Sequence, residues 1–166
     1  MQTKVKFLHP NATFKKAHPS DSGYDLTACG YEYKGNGLWF VNLGIAVEPP
    51  EGFYFEVVPR SSFAKKPFVL ANEIGVIDAS YRGDIKFPVR HRMIQWFNDK
   101  GRVFVRGECF DFEFLKAMIE KDIKHCLLNQ RIAQAVLRKY YDSEIIAVDS
   151  LEDTERGANG FGSSGE

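Results

Sequence analysis

Short apolar runs and period-two alternation dominate the first half of the chain. The stretches VKFL, GYDLTAC, LWFVNLGIAV, FYFEVV, FVLANEIGVI and DIKFPV are each of strand length and rich in Val, Ile, Phe and Tyr, residues suited to a pleated, half-buried surface. KGNG, EPPEG and the corner at Tyr81–Gly83 separate them with turn chemistry. Strands spaced this closely, without helical patterns between them, predict an all-β sandwich, barrel or jelly roll. After Arg102 one more run, VFV, precedes a change of period. From Phe112 to Leu127 the apolar residues Leu115, Met118, Ile119, Ile123 and Cys126 recur at helical spacing. On the other face Lys116, Glu120 and Lys124 stand four apart, alternating in sign, which supports a helix. One amphipathic helix is therefore expected within a β protein. RIAQAVL at 131–137 returns to strand pattern. The closing ERGANGFGSSGE holds four glycines, two serines and one aromatic, and cannot bury a core.

Composition narrows the function classes. The 166 residues carry 22 Lys+Arg against 22 Asp+Glu, and this zero balance argues against a nucleic-acid-binding protein. The length suits one domain, large enough to fold without disulfides or a structural metal. No apolar run approaches a membrane span, and the N-terminal MQTKVKFLHPNATFKK lacks the apolar stretch of a signal peptide. Cys29, Cys109 and Cys126 are scattered and never paired as CxxC, which reads as reduced thiols in a cytoplasmic protein. His9, His18, His91 and His125 form neither HExxH nor HxH, so a zinc site is not expected.

Five polar or glycine-bearing motifs could carry chemistry, each with a bland counterpart. SDSGYDL places Asp25 inside a short strand, either for a purpose or on a solvated face. PRSSFA combines Arg60, Ser61 and Ser62 at the end of a strand, which suits a phosphate or an ordinary helix cap. In NEIGVIDASYRGD, Gly75 inside a strand pattern suggests a close approach. Asp78 after the apolar pair Val76–Ile77 suits a general base or a turn aspartate. RIAQ is a strand bearing one polar residue, Gln134. The glycine tail lacks the strand-to-helix setting of a dinucleotide fold and otherwise reads as disordered.

Their order is more informative. SGYDL, PRSSFA, GVIDASYRGD, RIAQ and RGANGFGSSG, from Ser20 to Gly165, closely resemble the five motifs of the trimeric dUTPase family. The resemblance implies a jelly-roll-like β-barrel over residues 1–153 and a flexible lid over 154–166. It also implies hydrolysis of dUTP to dUMP and pyrophosphate, which limits uracil in DNA and supplies dUMP for dTMP synthesis. Asp78 matches the family's general base, and Asp25 the aspartate that holds Mg2+ through its bound waters. Arg60, Ser61, Ser62 and Gln134 match the phosphate-binding residues. Asn72, Gly75 and Ile77 belong to the hairpin expected to clip uracil, and Tyr81 matches the residue against deoxyribose. In the tail, Arg156, Gly162, Ser163 and Ser164 resemble the γ-phosphate grip, and Phe161 the ring that covers uracil. The implied partners are dUTP and two further copies of the chain, in a homotrimer with shared active sites.

The departures are small in the motifs and larger in length. The family often has Gly where Ser62 and Asn159 stand, Asp at Ser80 and Ala at Ser22. Residues 98–128, with the predicted helix, form an extra segment like that of some phage-encoded members. It reads as a surface elaboration or as a site for a protein partner. Two other functions fit the same residues: a dCTP deaminase on the same fold, although such relatives have Trp where Tyr81 stands, and a regulatory protein that keeps the nucleotide site.

Overall fold

The computed structural model describes residues 1–93, 96–97, 103–105, 108–155 and 157–158. Among the described residues, the chain adopts the predicted all-β architecture with one inserted α-helix. One four-stranded sheet has the order β2 (Gly23–Thr27), β13 (Arg131–Lys139), β6 (Phe53–Pro59) and β8 (Gly75–Ile77). A second has the order β3 (Gly30–Gly35), β4 (Leu38–Asn42), β9 (Lys86–His91) and β7 (Phe68–Leu70). β1 (Lys4–Phe7) pairs with β5 (Ile45–Glu48). A small meander of β10 (Trp96–Phe97), β11 (Val103–Val105) and β12 (Glu108–Phe110) leads into α1 (Phe112–Cys126). The arrangement is jelly-roll-like, with its strands in separate sheets rather than one closed ring of hydrogen bonds.

Alternation along the strands builds the core. Leu26, Phe55, Val57, Ile77, Ala133 and Ala135 from the first sheet meet Trp39, Val41, Phe68, Phe87 and Val89 from the second in one buried cluster. Two runs that read as single strands are each divided. LWFVNLGIAV breaks at Gly44, whose φ of 66° suits glycine; a Cβ there would also strike His9 and Cys29. FVLANEIGVI breaks at Glu73, φ 62°, and its halves β7 and β8 join different sheets.

The extra segment is not a surface ornament. Asp111 caps α1, its Oδ1 accepting from the backbone N–H groups of Glu113 and Phe114. Ile119 and Ile123 enter the main core, while Leu115 packs with Phe110, Phe112 and Met118. Met93's backbone N–H donates to Nδ1 of His91 at 3.3 Å. That leaves Nε2 as the protonated nitrogen, donating to Asp122 Oδ2 at 3.1 Å. The barrel thus occupies the apolar face of α1, and a partner at the insert would meet the polar face bearing Glu120, Lys121, Lys124 and His125. Among the described residues, no helix is long and apolar enough to cross a membrane.

Candidate active site

Asp78 follows β8 at the start of a turn and is exposed. It lies where two depressions meet. One, of about 260 Å³, is lined by Asn72, Gly75, Ile77, Asp78 and Tyr81 together with Phe40, Ile85, Lys86 and Pro88. The other, of about 560 Å³, is lined by Tyr54, Val76, Asp78, Ala79, Ser80 and Tyr140. Gly75 faces Val57 across the strand pair, where an added Cβ would make only ordinary contact at 3.4 Å. Packing within the chain therefore does not demand this glycine, and its lack of a side chain leaves room in the smaller depression.

The YRGD corner fixes Tyr81. Its backbone N–H donates to the Asp78 carbonyl at 3.0 Å, and its hydroxyl donates to the Asp84 carbonyl at 3.2 Å. The ring lies over Gly83, where any Cβ would collide with it. Asp84 Oδ2 accepts from Lys86 Nζ at 2.6 Å, and the same ammonium donates to Asn42 Oδ1 at 3.0 Å. Tyr81, Asp84, Lys86 and Asn42 thus tie the corner to β9 and β4.

A separate polar cluster occupies the other end of the first sheet. Asp25 is only 6% exposed, so the solvated-face reading does not hold for it. Its Oδ1 pairs with Arg60 Nε at 2.7 Å and its Oδ2 with Arg131 Nη1 at 2.8 Å. Two guanidiniums around one carboxylate leave one formal positive charge, a setting that favours an anion. Gln134 stands directly across from Asp25 in the strand register, and its side chain lies over Gly23, where a Cβ would clash with it. Arg60 precedes a 3₁₀ turn, Ser61–Lys65, anchored by buried Phe63. Ser61 and Ser62 open that turn and are exposed.

The two ends do not meet within one chain. Asp25 shares a row with Gln134 and Val58, whereas Asp78 follows Ile77, which pairs with Phe55. Three strand spacings and about four residues along β6 put Asp25 and Asp78 roughly 20 Å apart.

Comparison with known proteins places this arrangement. A family model described as dUTPase matches residues 10–98 and 120–165. The chain belongs to the dUTPase family. It is similar to the deoxyuridine 5'-triphosphate nucleotidohydrolase of Yarrowia lipolytica, 33% identical over 99% of this chain and 90% of that one. Among solved structures it resembles the Staphylococcus bacteriophage 80alpha dUTPase with dUPNHPP, with a TM-score of 0.67, 25% identity and 99% of both chains covered. It also shares the fold of a dUTPase from phage phi11 of S. aureus whose structure describes coordination of a structural Mg(II) ion. That likeness has a TM-score of 0.64 at 20% identity, covering 92% of this chain and all of that one. Residues 99–119, which the family model passes over, fall within the extra segment. As a dUTPase-family member the chain is an enzyme, a hydrolase.

Of the residues the dUTPase resemblance singled out, Asn72, Gly75, Ile77, Asp78 and Tyr81 come together. Asp25, Arg60 and Gln134 come together elsewhere on the same sheet, with Ser61 and Ser62 following Arg60. Arg156 and Phe161, Gly162, Ser163 and Ser164 lie outside the described residues. Sequence reasoning passed over Arg131, which completes the clamp on Asp25, and Lys86. A signal for Lys86 existed, because Asp84 and Lys86 are two residues apart, and residues so spaced share a face of a strand.

Proposed function

We propose that the chain hydrolyses dUTP to dUMP and pyrophosphate, with Asp78 as the general base for water attacking the α-phosphorus, at sites assembled between copies in a homotrimer. The observation that carries this reading is the shared depression: Asp78 borders the same hollow as Asn72, Gly75, Ile77 and Tyr81. β8 is the last strand of its sheet, so the backbone groups along its outer edge are free to pair with a ligand. Uracil presents a carbonyl acceptor where cytosine presents an amino donor, and a backbone N–H fixed at that point rejects cytosine by leaving a buried donor unpaired. Tyr81, held by Gly83 and Asp84, closes the space that a ribose 2′-hydroxyl would need.

Asp25, Arg60, Ser61, Ser62 and Gln134 supply the phosphate end, and their distance from Asp78 supports sharing between copies. A nucleotide's α-phosphate adjoins its sugar, so a phosphate cluster roughly 20 Å from Asp78 serves the site of another copy. The tail from residue 154, with Arg156 and Phe161, acts as the lid over the bound nucleotide. The residues present fit Mg2+ held through water and substrate rather than directly. Among the described residues no group of three or more His, Cys, Asp or Glu converges. Each Asp25 oxygen, with one guanidinium partner, keeps a further lone pair for a metal-bound water, and magnesium commonly keeps waters and shares substrate phosphates. When bound, the ion would offset phosphate charge.

Purified protein incubated separately with dUTP and dCTP tests the reading. Pyrophosphate from dUTP is the expected outcome. Ammonia from dCTP would favour the deaminase, and neither product would leave a nucleotide-binding regulatory protein.

A further inference from the structure

We propose that Arg82 is a positioning residue for the reaction, holding the turn that presents Asp78 by two of the turn's own carbonyls. The proposal rests on the reading of Asp78 as the general base. Packing does not fix this turn, because every residue from Asp78 to Arg82 is exposed or half-buried. The Tyr81 N–H closes it onto the Asp78 carbonyl at 3.0 Å. Arg82 adds two further bonds from a single nitrogen. Its Nη1 donates to the Ala79 carbonyl at 2.6 Å and to the Tyr81 carbonyl at 2.9 Å. Those carbonyls flank Ser80, so the guanidinium spans the exposed tip of the turn one residue beyond Asp78.

The guanidinium is tied in its turn to the body of the fold. Its Nε stands 3.7 Å from Glu48 Oε2, and Lys4 Nζ donates to Glu48 Oε1 at 2.6 Å. Glu48 ends β5, whose Ile45, Ala46 and Val47 are buried. Exposed ion pairs of this kind add little to stability, because water and salt compete for both charges. Their effect here is on direction: they decide where the loosely packed turn points its carboxylate. Arg82 lines neither hollow that Asp78 borders. It faces a third, of about 320 Å³, beside Lys4, Lys6 and Glu48. The side chain therefore acts through the turn and not on the nucleotide. Tyr81 keeps a separate tie, its hydroxyl to the Asp84 carbonyl at 3.2 Å, so the nucleoside end holds without Arg82.

Arg82→Met keeps an apolar stem and removes every donor. Single-turnover dUTP hydrolysis, with equilibrium binding of a non-hydrolysable dUTP analogue, separates positioning from binding. The expected result is a rate at least about tenfold lower, because a small displacement of a catalytic group is costly. Analogue affinity should stay within about threefold, and the melting temperature within about 4 °C of the wild type. Arg82→Lys should recover the rate to within about threefold, since one ammonium carries donors for both carbonyls. An Arg82→Met protein that turns over at the wild-type rate would overturn the proposal. So would an affinity loss as large as the loss of rate, which would make Arg82 a nucleotide ligand, or an Arg82→Lys protein as slow as Arg82→Met. Asp78→Asn assayed alongside keeps the two readings apart. An active Asp78→Asn would overturn the base itself, whereas an inactive one beside an unimpaired Arg82→Met would overturn only the role of Arg82.

Discussion

The role proposed for Asp78 rests on position: it is exposed, placed after a strand edge, and borders the hollow that Tyr81 and the 72–77 hairpin define. A general base acts on the attacking water more than on nucleotide binding. Asp78→Asn should therefore abolish turnover while leaving affinity for a dUTP analogue within a few-fold; substantial activity in the purified variant would remove Asp78 from the mechanism. The aspartates show how far single residues could be read. GVIDASYRG by itself left Asp78 as either a base or a turn aspartate, and the order of the five motifs singled it out. GYDL announced Asp25 without its partners, since Arg131 is more than a hundred residues away and meets it only through the pairing of β2 with β13. Long-range charge pairs have no local pattern to betray them.

At the scale of elements, the period of α1 was plain in the chain but its destination was not. Apolar spacing gives a helix and a face; it does not say whether the barrel or another protein covers that face. The barrel does, through Ile119 and Ile123. Ile123→Ala should cost about 2–5 kcal/mol of stability through the cavity left, read as a lower melting temperature, with kcat for dUTP retained because the site lies elsewhere. The split strands failed for a related reason: the left-handed residues Glu73 and Gly44 turn the chain inside runs that read as one strand despite the polar Asn72–Glu73 and Asn42 within them. The contact between His91 and Asp122 adds a pH dependence. Burial holds the His91 pKa below 6.5, against the opposing pull of Asp122, so below pH 6.5 the unfolded chain takes up a proton that the folded chain resists. The contribution is fully present above 6.5 and is lost as pH falls toward the folded value. Glu48 and Glu56, lowered by their partners Lys4 and Arg138, act only below 4.5. Thermal melts from pH 7.5 to 5 should fall less steeply for His91→Asn than for wild type; parallel slopes would exclude the histidine.

For the whole molecule, the decisive feature is that Asp78 and the Asp25–Arg60 cluster stand roughly 20 Å apart within one chain, as the proposed shared sites require. Motif order suggested which residues form the proposed site and, by resemblance, that copies share it, whereas their places at opposite ends of one sheet come only from the strand pairing. Co-expression of Asp78→Asn chains with Arg60→Met chains, each inactive alone, tests the shared-site account most directly. Random mixing in a homotrimer unites an intact Asp78 of one copy with an intact Arg60 of another in about one site in four. The co-expressed population should therefore hydrolyse dUTP at roughly a quarter of the wild-type rate, with sedimentation reporting a trimer throughout. Mixed trimers as inactive as either parent would place the whole site within one chain and contradict the account.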